Sequence, residues 1–156
     1  MKTYNWATLG CGVIANQLAQ AMEKEGRTLY GIANRTYQKA VDFAEKYNVS
    51  RVYESMEELY TDKNVDIIYI STPHNTHIQF LREALKHGKH VICEKSITLN
   101  SEELEEAKKL AEENHVVLGE AMTIYHMPLY KKLQELMRSG ELGELRMVQM
   151  NFGSYK

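Results

Sequence analysis

Short apolar runs alternate with longer stretches of helical periodicity along most of this 156-residue chain. Residues 6–9, Trp6-Ala7-Thr8-Leu9, are apolar and end at a glycine, as a buried strand should. Over residues 13–25, Ile14, Leu18, Ala21 and Met22 recur at the spacing of one helical face. The unit then repeats. A strand over 28–34 precedes a helix capped by Thr36 and running to Tyr47. A short strand over 51–54 leads to a helix opened by the capping box Ser55 and Glu58. Residues 66–71 are almost continuously apolar, the pattern of a central parallel strand buried on both faces. The helix expected next, 76–86, turns Ile78, Leu81 and Leu85 inward and stops at Gly88. A strand over 89–93, a helix capped by Asn100 and a strand over 116–119 complete the series. The acidic outer face of that last helix supports i,i+4 pairs such as Glu105 with Lys109.

Strict strand–helix alternation means a parallel sheet with right-handed crossovers. The expected class is α/β, a Rossmann-type doubly wound sheet in the order 3-2-1-4-5-6. The rhythm breaks after Glu120. A helix over 128–139 carries Leu129, Leu133, Leu136 and Met137 on one face, and Gly140 and Gly143 bracket a turn. Residues 145–152, with Met147, Val148, Met150 and Phe152, read as a half-buried antiparallel strand. One extra strand has no sheet to join and exposes an edge. The expectation is therefore a nucleotide-binding domain over 1–121, followed over 122–156 by the start of a truncated second α/β domain.

Composition narrows the partners. Nineteen basic against 21 acidic residues give a formal net charge of −2, which suggests neither a nucleic-acid patch nor a basic membrane surface. No apolar run reaches membrane-spanning length, and Met1-Lys2-Thr3-Tyr4 leads directly into the first strand, so a cytoplasmic location is the default. Cys11 and Cys93 are too few for a disulfide framework. In the expected sheet order they stand two strands, or roughly 10 Å, apart. His74 and His77 lack a further ligand pair, so no metal site is expected.

The chemistry gathers at strand ends. Gly10-Cys11-Gly12-Val13-Ile14-Ala15 has the spacing G-x-G-x-x-A between a strand and a helix. The first glycine permits a tight turn, the second lets backbone approach a pyrophosphate, and the small third residue lets helix and strand pack closely. A helix N-terminus adds free N–H groups and the positive end of its dipole. At the end of the second strand stand Asn34 and Arg35, where an NAD-binding chain places a carboxylate for the ribose. Without that carboxylate a 2′-phosphate is not repelled, and a guanidinium can pair with it, which favours NADP over NAD. Ser71, Thr72, Asn75 and His77 follow the fourth strand, on the ligand side of an open parallel sheet. Glu94 and Lys95 follow the fifth, where a lysine can deliver charge or a proton to a substrate.

Together these landmarks resemble the Gfo/Idh/MocA oxidoreductases, the family of glucose–fructose oxidoreductase and inositol dehydrogenase. The resemblance spans essentially the whole chain. It is carried by Gly10-x-Gly12-x-x-Ala15, Thr72-Pro73-His74-Asn75 with His77, Glu94-Lys95, and the segment from Glu120-Ala121 to Pro128. It implies an enzyme that uses NAD or NADP on sugars, polyols and related compounds, and that is a homo-oligomer at full length. It further implies that Gly10, Cys11, Gly12, Val13 and Ile14 cradle the pyrophosphate and that Asn34 and Arg35 hold the adenosine end. Ser71, Thr72, Asn75 and His77 would line the middle of the cofactor. Glu94 and Lys95 would lie by the nicotinamide, with Lys95 the catalytic residue reaching the reacting hydroxyl or carbonyl. Two positions depart from the family pattern: its Glu-Lys-Pro is Glu94-Lys95-Ser96, and its arginine four residues after Ala121 is Tyr125. The family's catalytic histidine belongs to its second domain and has no counterpart here.

Three other readings bear on the same residues. The glycine turn by itself is compatible with a ligand-free strand–helix connection. The chain as a whole is compatible with a nucleotide-binding regulatory module without catalysis. A non-redox Rossmann enzyme such as a methyltransferase would place an acid where Asn34 stands.

Overall fold

The computed structural model describes residues 3–149, 151 and 153. The chain divides into two compact units, Met1–Ala121 and Met122–Lys156. Among the described residues the first contains six strands: β1 (Trp6–Leu9), β2 (Gly31–Ala33), β3 (Arg51–Tyr53), β4 (Ile67–Ile70), β5 (His90–Cys93) and β6 (Leu118–Glu120). Its helices are α1 (Val13–Lys24), α2 (Tyr37–Tyr47), α3 (Met56–Thr61), α4 (His77–Lys86) and α5 (Ser101–Glu113). All strand pairs are parallel, in the order β3-β2-β1-β4-β5-β6 that the alternation predicts. Leu9 lies opposite both Ala33 and Ile70, and Ile70 opposite Cys93. This register brings the carboxyl ends of four strands to one level.

The sheet is buried on both faces. Ala7, Leu9, Ile68, Ile70, Val91 and Cys93 pack against Leu59 of α3, Leu81 and Leu85 of α4, and Ala107 and Ala111 of α5. Ile32 packs with Ala15, Ala19 and Met22 of α1 and with Ala40, Phe43 and Tyr47 of α2. The inward face of α1 thus differs from the expected Ile14, Leu18, Ala21 and Met22. Alanines seat the helix close to the sheet beside the glycine turn, so Ile14 and Ala21 are left exposed and Leu18 half-buried.

Strand and cap details also differ. Strand β2 is three residues long rather than seven, although Tyr30 N–H still donates to Trp6 O at 2.7 Å. Strand β6 starts two residues later than expected, because its register with β5 pairs Leu118–Glu120 with Val91–Cys93. Thr36 precedes α2 but makes no side-chain cap bond. Ser55 and Asn100 do cap, accepting from Glu58 N at 3.2 Å and Glu103 N at 2.9 Å. Each glutamate returns to the residue before the cap, at Glu54 N (3.1 Å) and Leu99 N (3.1 Å), rather than to the cap itself. Glu105 pairs with Lys108 at 2.8 Å instead of Lys109, which faces Glu113 at 3.7 Å.

In the second unit a 3-10 turn, Thr123–His126, precedes α6 (Pro128–Ser139). The helix ends at Gly140, with φ +81°. Residues 145–149 form no strand, contrary to the sequence pattern. A strand needs a neighbour for its backbone groups, and the described residues supply none. Met150 and Phe152 of that expected strand lie outside the described residues. Among the described residues no helix is long and apolar enough to cross a membrane.

Candidate cofactor site

The glycine turn is anchored to both neighbouring strands. Leu9 O accepts from Ser71 N at 3.0 Å and from Ser71 Oγ at 3.3 Å, while Gly10 N donates to Ala33 O at 2.9 Å. Gly10 has φ +102°, and a Cβ there would stand 3.0 Å from Ser71 Oγ. Conformation and space both demand glycine. Gly12 differs. Its φ is −72°, which any residue adopts, and a Cβ would meet nothing within 4 Å. The chain itself leaves Gly12 free to vary, and the open space before it fits the close approach of a diphosphate. Helix α1 starts at the next residue without a side-chain cap, leaving first-turn N–H groups for an anion.

A cavity of ≈ 490 Å³ opens at the carboxyl ends of β1, β2 and β4. This is the crevice where the strand order reverses, the usual ligand position in a doubly wound sheet. The turn supplies Leu9, Gly10, Cys11 and Gly12; the β2–α2 junction supplies Asn34, Arg35, Thr36 and Lys39; the segment after β4 supplies Ser71, Thr72, Pro73 and Thr76. Met56 and Phe80 add apolar wall. Arg35 and Lys39 are exposed, and among the described residues no carboxylate lines the cavity. The side chain of Asn34 closes its own turn, donating to Thr36 O at 2.9 Å. Burial pushes the Cys11 thiol up and outweighs Lys39, which pulls it down. Cys93 is buried and its pKa is pushed up to about 12, by desolvation first and then by Glu94 and Glu120. Both cysteines are free.

The remaining predicted site residues stand elsewhere. Val13 is 74 % exposed and Ile14 39 %, and neither side chain lines the cavity. Asn75 is exposed outside it. His77 is fully buried behind it. Its Nε2 lies 2.8 Å from Thr72 O and its Nδ1 2.9 Å from Ser96 O, so the ring ties the loop after β4 to the loop after β5. Histidine in this place holds two loops, and its side chain is not in the lining of this cavity. Glu94 and Lys95 lie beyond the cavity wall at the end of β5. Glu94 is half-buried and accepts a hydrogen bond from Tyr69 Oη. Burial and Glu94 together raise the Tyr69 pKa, so the phenol stays a donor. Lys95 is exposed.

Lys39 also lines the cavity, and no helical spacing marks it, because Arg35 lies before Thr36, the N-cap position of α2. The sequence pattern marks Thr36 only as a cap. Met56 and Phe80 reach the cavity from two separate helices, and no local pattern marks them.

Residues 4–122 match a family model described as "Oxidoreductase family, NAD-binding Rossmann fold". This chain belongs to the Gfo/Idh/MocA family. Its relatives include the mouse trans-1,2-dihydrobenzene-1,2-diol dehydrogenase, 32% identical over 151 residues that cover 95% of this chain and 45% of the relative. A 3-ketoreductase from Actinomadura kijaniata, solved in complex with NADP, superposes with a TM-score of 0.83 at 28% identity, over 92% of this chain and 46% of that one. An NAD-binding oxidoreductase from Klebsiella pneumoniae gives 0.82 at 25% identity, over 90% and 40%. The chain therefore spans about half the length of the Gfo/Idh/MocA relatives it matches.

Proposed function

We propose that this chain is the cofactor-binding part of an NAD(P)-dependent oxidoreductase acting on a CH–OH or carbonyl carbon of a sugar, polyol or related small molecule. We further propose NADP as the preferred cofactor. The observation that carries the reading is the cavity over the glycine turn, lined by Arg35 and Lys39 and, among the described residues, by no carboxylate. The residues fit the group. Gly12 leaves room for a diphosphate, and Arg35 and Lys39 offer charge to a 2′-phosphate. The nicotinamide, when bound, supplies the hydride chemistry.

The protein's part is to bind, orient and move a proton. Ser71 and Thr72, held at the end of β4, are offered to the middle of the cofactor. Lys95 is offered to the substrate oxygen, where its ammonium stabilises developing alkoxide charge or passes on the proton. Glu94, oriented by Tyr69, sets the charge beside it. Residues 122–156 are read as the beginning of a second domain that walls the substrate and supplies subunit contacts in a homo-oligomer. The length of the relatives and the exposed Leu129, Leu133 and Met137 of α6 support this.

Calorimetric titration tests the cofactor reading. The expected result is NADP binding at least about tenfold tighter than NAD, the equivalent of one charge-assisted hydrogen bond. Equal affinities would remove the NADP preference, and absence of binding to both would remove the oxidoreductase reading of the cavity.

A further inference from the structure

We infer that Asn16 is a positioning residue that fixes the direction of two successive peptide groups in the glycine turn, so that their N–H groups meet the cofactor's diphosphate. This rests on the cofactor reading above and assigns part of that binding to a residue outside the G-x-G-x-x-A pattern.

The side chain of Asn16 projects from the first turn of α1 back over the loop. Its Nδ2 donates to Cys11 O at 3.2 Å and to Gly12 O at 2.9 Å. Gly12 O also accepts Asn16 N at 3.1 Å. Among the described residues the only cis peptide is Lys95–Ser96, so the Cys11–Gly12 and Gly12–Val13 peptides are trans. In a planar trans peptide the N–H points opposite to the C=O. Two carbonyls drawn toward Asn16 therefore send the N–H groups of Gly12 and Val13 the other way. No acceptor within the described residues takes those N–H groups. Glycine gives this turn little resistance to rotation. A rotated peptide would present a carbonyl oxygen, which repels a phosphate.

Asn16 is itself held. Its Oδ1 accepts from Tyr47 Oη at 2.8 Å and from Lys46 Nζ at 3.1 Å. Tyr47 Oη in turn accepts from Gln20 Nε2 at 3.3 Å, and the Tyr47 ring is buried against Phe43 with centroids 4.8 Å apart. Two carbonyls on one side and two donors on the other fix which end of the amide is nitrogen. Only a side chain with a donor and an acceptor on one carbon, at this reach, satisfies both.

The test compares NADP with adenosine 2′-monophosphate, which offers the same phosphate to Arg35 and Lys39 but has no diphosphate. For Asn16→Ala, NADP affinity is expected to fall about tenfold, while adenosine 2′-monophosphate stays within about twofold. Asn16→Asp, an acceptor facing two carbonyls, should weaken NADP at least as much, and Tyr47→Phe less. Thermal melting of each variant checks that the fold persists. Unchanged NADP affinity in Asn16→Ala, or equal weakening of both ligands, overturns the inference alone. A parent chain that binds neither ligand overturns the cofactor reading and this inference with it.

Discussion

Single side chains at this site are decided by charge and by reach. Arg35 and Lys39 line the cavity, and on the proposed NADP preference Arg35→Glu should lower NADP affinity by at least about tenfold and leave NAD nearly unchanged, as read by parallel titrations. A uniform loss for both cofactors would assign Arg35 to adenine stacking instead. Gly10→Ala meets both a left-handed backbone and Ser71 Oγ at 3.0 Å, and should cost about 1–3 kcal/mol in a urea melt. In a full-length form, Lys95→Ala should depress kcat by at least about a hundredfold with cofactor affinity kept. Turnover equal to the parent would sink the role given to that lysine. That Asn34, Arg35, Gly10 and Gly12 line the cavity is readable in sequence, because each stands where its own backbone leaves a strand end. The contacts of His77 with two backbone carbonyls are not, because a buried histidine takes its partners from loops that packing brings to it.

Helix starts follow local pattern where a side chain caps them, and strand bounds follow the neighbouring strands. The caps of α3 and α5 follow from Ser55 and Asn100, and Asn100→Ala should lower stability by about 1 kcal/mol in chemical denaturation. Thr36 has the same chemistry before α2 but makes no cap bond; the Lys39 N–H that such a cap would take is donated to Thr36 O at 3.1 Å. Asp62, at the end of α3, gathers Tyr53 Oη at 2.8 Å, Asn64 N at 2.8 Å and Arg51 at 3.5 Å. Burial alone would raise its pKa. The hydrogen bonds from Asn64 and Tyr53 and the Arg51 charge outweigh burial and hold it below its ordinary 3.8. A depressed carboxylate stabilises the fold above the unfolded value and loses that contribution as pH falls through the folded one. Asp62→Asn should therefore be less stable than the parent at pH 7, with a shallower decline below about pH 4, in melts taken across the range.

For the whole molecule, unpartnered apolar surface is the governing fact of the second unit. Leu129 is 79 % and Met147 83 % exposed. Such side chains are expected to drive concentration-dependent association of the 156-residue chain, and a version ending at Ala121 should sediment as a monomer. Monomeric behaviour of the full chain at high concentration would contradict this. The sequence by itself determined the α/β class, the sheet order, the glycine turn and the position of α6. Those depend on hydrophobic period, on handed crossovers and on glycine chemistry, all local or nearly so. Only the tertiary structure decided that alanines rather than Ile14 seat α1, that β6 takes its register from β5, and that 145–149 is no strand. It also decided that Met56, Phe80 and Lys39 reach the cavity, that His77 lies behind it, and that Asn16 grips the turn. Each of these depends on partners that sequence neighbours do not name: a strand needs another strand, and a polar side chain takes its role from the groups that packing brings to it.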